Sequence, residues 1–203
     1  MNEREKYEAM WRIPGYRNRM HSELLFKSIL ATLKPQAGQS LIDFGCGPGR
    51  PGPKLEAMGV KVTLVDIAEN ALDAGVSTAF LRHDISEPLP IHADLGICTD
   101  VMEHIPPDLV RQTLTNVLDA ADRVYFSICV RKEGWGNHIG ETLHLTVRSK
   151  KWWEQELGEV GEILGRADPG PGRIVFYARR KDAQQISTSA ESGAEERAAR
   201  TAG

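Results

Sequence analysis

Cysteine is scarce: Cys46, Cys98 and Cys129 are the only three in 203 residues, far apart and without a CxxC pair. That spacing supports neither a disulfide framework nor a cysteine-rich zinc module, and it fits a reducing compartment. Long hydrophobic runs are missing too. No stretch approaches the roughly 20 apolar residues of a membrane span, and the charged opening MNEREKYEAM has no apolar signal core. The expectation is a cytoplasmic chain with no membrane partner. Charge of one sign is also lacking, since 25 Lys plus Arg against 28 Asp plus Glu leave a net −3. This excludes the strong positive field of a constitutive duplex-binding protein, though not a local basic patch. What is present, 41% hydrophobic and 26% charged residues, matches a soluble globular chain with one core.

Periodicity organises that core. Met1 to about Leu33 places Leu24, Leu25, Ile29, Leu30 and Leu33 at helical spacing, while Pro14 and Gly15 interrupt the earlier part. Two short helices joined by a turn are expected there. Ser40 to Phe44 is a short buried strand running into a glycine cluster, with a helix to follow. Strand-like runs then recur at Lys61–Val65, Ala79–Arg82, Leu95–Thr99 and Val124–Val130, with helix-like stretches at Ala68–Ala74 and Leu109–Ala120. Alternation of this kind implies parallel βαβ units in a doubly wound sheet. After a helical Trp152–Leu157, two strands at Val160–Leu164 and Arg173–Ala178 flank the turn-rich Asp168-Pro169-Gly170-Pro171-Gly172 and suit an antiparallel edge hairpin. The expected fold is α/β, with residues 1–39 as an N-terminal helical cap and 40–181 as the ligand-binding domain. Residues 182–203, almost free of large apolar side chains, are expected to be a disordered tail.

Asp43-Phe44-Gly45-Cys46-Gly47-Pro48-Gly49 sets glycines where a chain turns tightly and lets a ligand approach the backbone. Its G-x-G-x-G spacing is neither the dinucleotide fingerprint nor a phosphate-binding P-loop. Asp43 beside the loop opposes a pyrophosphate and favours a ligand carrying an ammonium group. Asp66 ends the next strand at a distance suited to ribose hydroxyls, and Asp84 after the third strand suits an exocyclic amine, with Ile67 or Ile85 over the ring. The structural alternatives are turn glycines, a helix cap at Asp66 and a turn or cap at Asp84. Pro48, Pro51 and Pro53 crowd the loop and are expected to shorten the helix after it.

Four segments, LIDFGCGPG, VTLVDI, LRHDI and ADLGICTDVMEHI, resemble in their order the class I S-adenosylmethionine-dependent methyltransferases over about Ser40 to Val130. The resemblance implies a Rossmann-like, doubly wound, mostly parallel sheet with a C-terminal antiparallel hairpin in a three-layer αβα sandwich. It implies S-adenosyl-L-methionine, with S-adenosyl-L-homocysteine as product, held by Asp43, Gly45, Cys46, Gly47 and Gly49. Ribose would sit on Asp66, adenine near Ile67, Asp84 and Ile85, and the methionine end near Asp100. The catalytic candidates are His104 as base, with Glu103 and His144, and no metal is assigned to the site.

The acceptor is expected to be a small molecule or nucleotide-like, reached through a lid over Gly134 to Val147 that carries Trp135. Trp152 and Trp153 follow, at least one of them expected in the core. Arg131, Lys132, Arg148, Lys150 and Lys151 make this stretch locally basic, which suits either an anionic acceptor or a solvated face. Two other functions compete. Glu103, His104, His138, Glu141 and His144 together resemble the metal site of small-RNA 2′-O-methyltransferases, giving a metal-assisted nucleic-acid enzyme. The other is a non-catalytic module that binds S-adenosylmethionine and acts through a partner. Nucleic acid is the less favoured acceptor.

Overall fold

A computed structural model describes residues 1–18 and 22–181. The proposed tail, 182–203, lies outside the described residues. Seven strands form one sheet: β1 Ser40–Phe44, β2 Lys61–Asp66, β3 Ala79–Arg82, β4 Ala93–Thr99, β5 Ala121–Cys129, β6 Gly161–Ala167 and β7 Arg173–Arg180. Their spatial order is β3-β2-β1-β4-β5-β7-β6. Strands β1 to β5 run parallel, and β7 lies antiparallel to both β5 and β6. The sheet is therefore the expected doubly wound, mostly parallel one, with the hairpin at its edge. Chain direction across the sheet reverses between β1 and β4, and ligands of open α/β sheets bind at the carboxyl ends of strands beside such a switch point.

Among the described residues six α-helices accompany it: α1 Glu3–Met10, α2 Pro14–Arg17, α3 Ser22–Leu33, α4 Pro51–Glu56, α5 Val110–Asp119 and α6 Lys150–Val160. Residue parity decides which face each strand residue covers. Ile42 and Phe44 of β1, with Val124, Phe126 and Ile128 of β5, join one core under α5 and α6. Leu41 of β1 and Tyr125 of β5 point the other way, into a core with Ile29 and Leu33 of α3 and Leu55 of α4. Gly96 lies mid-strand because a Cβ there would come within 2.8 Å of the Phe44 ring. Trp153 is fully buried in the first core and Trp152 packs half-buried against it.

Two expected elements differ. The N-terminal part contains three helical segments, with Pro14 opening a single turn, α2, instead of merely separating two helices. The helix expected over Ala68–Ala74 is only a 3₁₀ turn, Glu69–Ala71. Arg17 explains part of this. Its guanidinium donates to the carbonyls of Asn70 (2.7 Å), Ala71 (2.5 Å) and Leu72 (3.3 Å), acceptors that a continuing helix would need. Gly75 then turns the chain at φ +88. The helix after the glycine loop, α4, is short, with prolines in its first turn.

Candidate active site

The loop after β1 carries Gly45, Gly47 and Gly49 at φ +66, +52 and +71. Gly45 is tighter than Gly49, since a Cβ there would meet Val101 at 2.4 Å. Asp66 closes the loop from β2: Oδ2 accepts from the Gly47 N–H and Oδ1 from the Ala68 N–H, each at 2.9 Å. Cap and ligand roles coexist here, because two carboxylate oxygens offer about four lone pairs and two are used. Burial raises the Asp66 carboxyl to about 6, against the pull of these N–H donors. Asp43, buried behind the loop, has an Oδ2 without a hydrogen-bond partner, and burial with the nearby Asp66 raises it to about 8. Cys46 is buried, and burial pushes its thiol up. Asp84 makes a turn, its Oδ1 accepting from the Ser86 N–H (2.9 Å) and hydroxyl (2.8 Å).

Two cavities adjoin at this edge. The first, about 150 Å³, is lined by Gly45, Asp66, Ile67, Asp84, Ile85 and Asp100, and is roofed by Glu3, Tyr7, Trp11 and Tyr16 from the N-terminal helices. The second, about 710 Å³, is bounded by Asp100, Cys129, Arg131, Lys132, Glu133, Trp135, His144 and Arg173. Trp11, Tyr16, Gly45, Asp100 and His104 line both. Ligand pockets typically measure about 300–1,000 Å³, so the larger cavity alone has room for a small molecule.

Asp100 follows β4 at φ +57, a conformation Asp tolerates better than most residues. Its Oδ1 pairs with Arg173 Nη1 at 2.5 Å, and Arg173 also donates to Ser127 Oγ at 2.7 Å. His104 Nδ1 lies 2.8 Å from the Tyr7 hydroxyl and 3.1 Å from the Leu143 carbonyl oxygen. Nδ1 either donates to that carbonyl or accepts from the phenol, depending on the tautomer. Burial, then the neighbouring His144, lowers His104 to about 3, so it is neutral at ordinary pH. His144 packs edge-on against His104, and its Nδ1 donates to the Arg131 carbonyl at 2.6 Å. Glu103 is wholly buried and lines neither cavity; Oε1 accepts from the Cys129 N–H at 3.1 Å and Oε2 has no partner. One potential ligand atom each of Glu103, His104 and His144 lies within 4.8 Å of the others. His138 stands apart, exposed and stacked on Trp135.

Sequence reasoning pointed to the N-terminal helices as one side of the acceptor site but singled out none of Tyr7, Trp11 and Tyr16, because nothing local marks which helix residues will line a site built mostly from later segments. It missed Arg173 for the same reason. Glu133 is a third omission: its carboxylate accepts the Leu143 N–H (3.1 Å), the Gly136 N–H (3.2 Å) and the Trp135 N–H, and so folds the loop over the second cavity. That loop holds one 3₁₀ turn, Trp135–Ile139. Trp152 and Trp153 line neither cavity.

Residues 42–125 match the family model described as a methyltransferase domain. The matched segment runs from β1 into β5, less than half of the chain. A ubiquinone biosynthesis O-methyltransferase of Pseudomonas syringae pv. tomato is 28% identical over 103 residues, 45% of this chain and 44% of that protein. The match therefore spans less than half the length of that relative. Magnesium protoporphyrin IX methyltransferase of Synechocystis PCC 6803, solved with bound S-adenosylmethionine, superposes at a TM-score of 0.65 with 18% identity, covering 89% of this chain and 98% of that one. The N-methyltransferase NodS of Bradyrhizobium japonicum, solved with S-adenosylhomocysteine, gives 0.60 and 16% identity, covering 87% and 99%. These structural likenesses establish the fold, whose switch-point edge is where the domain's two cavities lie. No described helix is long and apolar enough to cross a membrane.

Proposed function

We propose that this domain transfers a methyl group from S-adenosylmethionine to an oxygen or nitrogen of a small-molecule or nucleotide-like acceptor. The observation that carries this is the junction of two cavities at the switch point, with Gly45, Asp100 and His104 common to both. S-adenosylmethionine supplies a sulfonium methyl group, and its transfer leaves S-adenosylhomocysteine. Asp43, Gly45, Cys46, Gly47 and Gly49 would hold the amino-acid end, Asp66 the ribose, and Ile67, Asp84 and Ile85 the adenine, with Asp100 toward the methionine end. At about 150 Å³ the smaller cavity is below the usual range for a ligand of this size. His104 stands at the junction of the two cavities, where it would take the proton of an acceptor hydroxyl or amine, and His144 packs edge-on against that ring. Glu103 supports the turn after β4 from beneath. Isothermal titration with S-adenosylmethionine, S-adenosylhomocysteine and NAD tests the reading. Micromolar binding of the first two without NAD is the expected result, and failure of both to bind overturns it.

The convergence of Glu103, His104 and His144 favours a second reading, in which a divalent cation fixes an acceptor hydroxyl. The donor set fits a borderline metal: one carboxylate oxygen without a partner and two imidazoles, each anchored at Nδ1 on a backbone carbonyl. Such a cation would supply Lewis-acid activation. Chelated protein given Mn²⁺, Co²⁺ or Mg²⁺ then gains melting temperature as well as activity, and no gain in either removes this reading.

A further inference from the structure

The charges and rings of the larger cavity narrow the acceptor class, an inference that rests on the methyl-transfer reading above. One wall is aromatic. Trp11 and Tyr16 meet at 4.8 Å between ring centroids, and Tyr16 and Trp135 at 6.1 Å, the rings tilted by 60° and 57°, so three neighbouring rings run from the N-terminal helices to the loop after β5. The same cavity is also lined by cations, and its charges are not equivalent. Arg173 is neutralised by Asp100. The Glu133 carboxylate accepts from three N–H groups of the loop and keeps its charge. His104 is neutral.

Arg131 and Lys132 remain. Both are exposed at the cavity, and among the described residues neither side chain has a carboxylate partner. Arg131 is moreover held in place: its side chain lies across Gly172, where a Cβ would come within 2.6 Å of Nε. Gly172 itself is fixed through the Val130 N–H, which donates to its carbonyl at 3.0 Å. A cavity with three aromatic rings and two cations without a carboxylate partner, in excess over the one Glu133 charge, favours a flat molecule that carries negative charge.

We propose that the acceptor is a small planar aromatic molecule bearing a carboxylate or a phosphate, its ring against Trp11, Tyr16 and Trp135 and its anion at Arg131 and Lys132. Carboxylate and phosphate present the same anionic oxygens to these two side chains, so the test separates them. Protein saturated with S-adenosylhomocysteine is titrated with matched pairs: catechol against 3,4-dihydroxybenzoate, and uridine against uridine monophosphate. At least one charged member should bind about tenfold more tightly than its neutral partner, and the pair that shows it identifies the anion. The preference should weaken with added salt and disappear in the Arg131→Ala/Lys132→Ala double variant, while affinity for S-adenosylhomocysteine is unchanged. Equal binding within both pairs, no binding of any member, or a preference that survives the double variant overturns the acceptor class and leaves the methyl-donor reading standing. If S-adenosylhomocysteine itself does not bind, the methyl-donor reading fails first, and this proposal fails with it.

Discussion

Tyr7 and His104, 97 positions apart in the sequence, meet at 2.8 Å between the phenol oxygen and Nδ1. The contact joins α1 to the turn after β4, so the roof of the first cavity and the candidate base form one unit. Burial raises the Tyr7 phenol well above its usual range, which keeps it neutral. Tyr7→Phe should lower kcat by about tenfold, the rate equivalent of about 1.4 kcal/mol in the barrier, with affinity for S-adenosylhomocysteine within about threefold. His104→Ala should lose about 10²–10⁴ in kcat through loss of proton removal. Steady-state kinetics with an identified acceptor checks both, and an unchanged kcat in His104→Ala removes the base assignment.

Asp66 performs two tasks with one carboxylate. Replacing it with Ala should weaken binding of S-adenosylmethionine by about 1.5–3 kcal/mol, because a charged acceptor is lost from two ribose hydroxyls. It also leaves the Gly47 and Ala68 N–H groups without acceptors, so the melting temperature should fall as well. Asp66→Asn keeps one carbonyl oxygen and should retain more of the stability than of the affinity. Calorimetric titration beside thermal melts separates the two effects.

Asp43 predicts a pH dependence whose sign follows from its environment. Its carboxyl is raised to about 8 in the folded protein by burial and by Asp66, against about 3.9 in an unfolded chain. A raised pKa contributes stability that is fully present below the unfolded value and is lost as pH rises through the folded one. Thermal stability of the ligand-free protein should therefore decline from about pH 4 toward about pH 8, and Asp43→Asn should flatten that decline. Asp66, raised to about 6, adds a smaller decline at the lower end. A ligand ammonium group favours the ionised carboxylate, so S-adenosylhomocysteine should release up to about one proton on binding at pH 7. Titrations in two buffers of different ionisation enthalpy read this release. Its absence would take Asp43 out of contact with the ligand.

Trp153 holds α6 to the sheet and is fully buried in the larger core with Phe126 and Phe176. Trp153→Ala should cost about 3–5 kcal/mol of stability by leaving a cavity. Trp152→Ala, half-buried and over the rim of the same core, should cost markedly less. Chemical denaturation of the two variants provides the comparison, and equal losses would place α6 differently.

Local rules were enough for the strands and for the loop between them. Ser40–Phe44 and Ala79–Arg82 have the expected bounds, the first because a short apolar run between turn residues has few other ways to hide from water, the second as a half-exposed edge strand bounded by its turns. The glycines after β1 were legible for a similar reason: a backbone that turns left-handed three times in five residues needs residues without a Cβ. Ala68–Ala74 shows where local rules stop. Its composition favours helix, but Arg17, more than 50 positions away, takes the carbonyls that helix would use.

The sequence by itself determined the order of strands and helices, the glycine turn and the acidic residues at the strand ends, because these follow from neighbours within a few positions. Only the tertiary structure decided which groups face one another across the cavities. Tyr7 on His104, Arg173 on Asp100 and the bare charges of Arg131 and Lys132 depend on segments that meet through the sheet, and no local period records such a meeting.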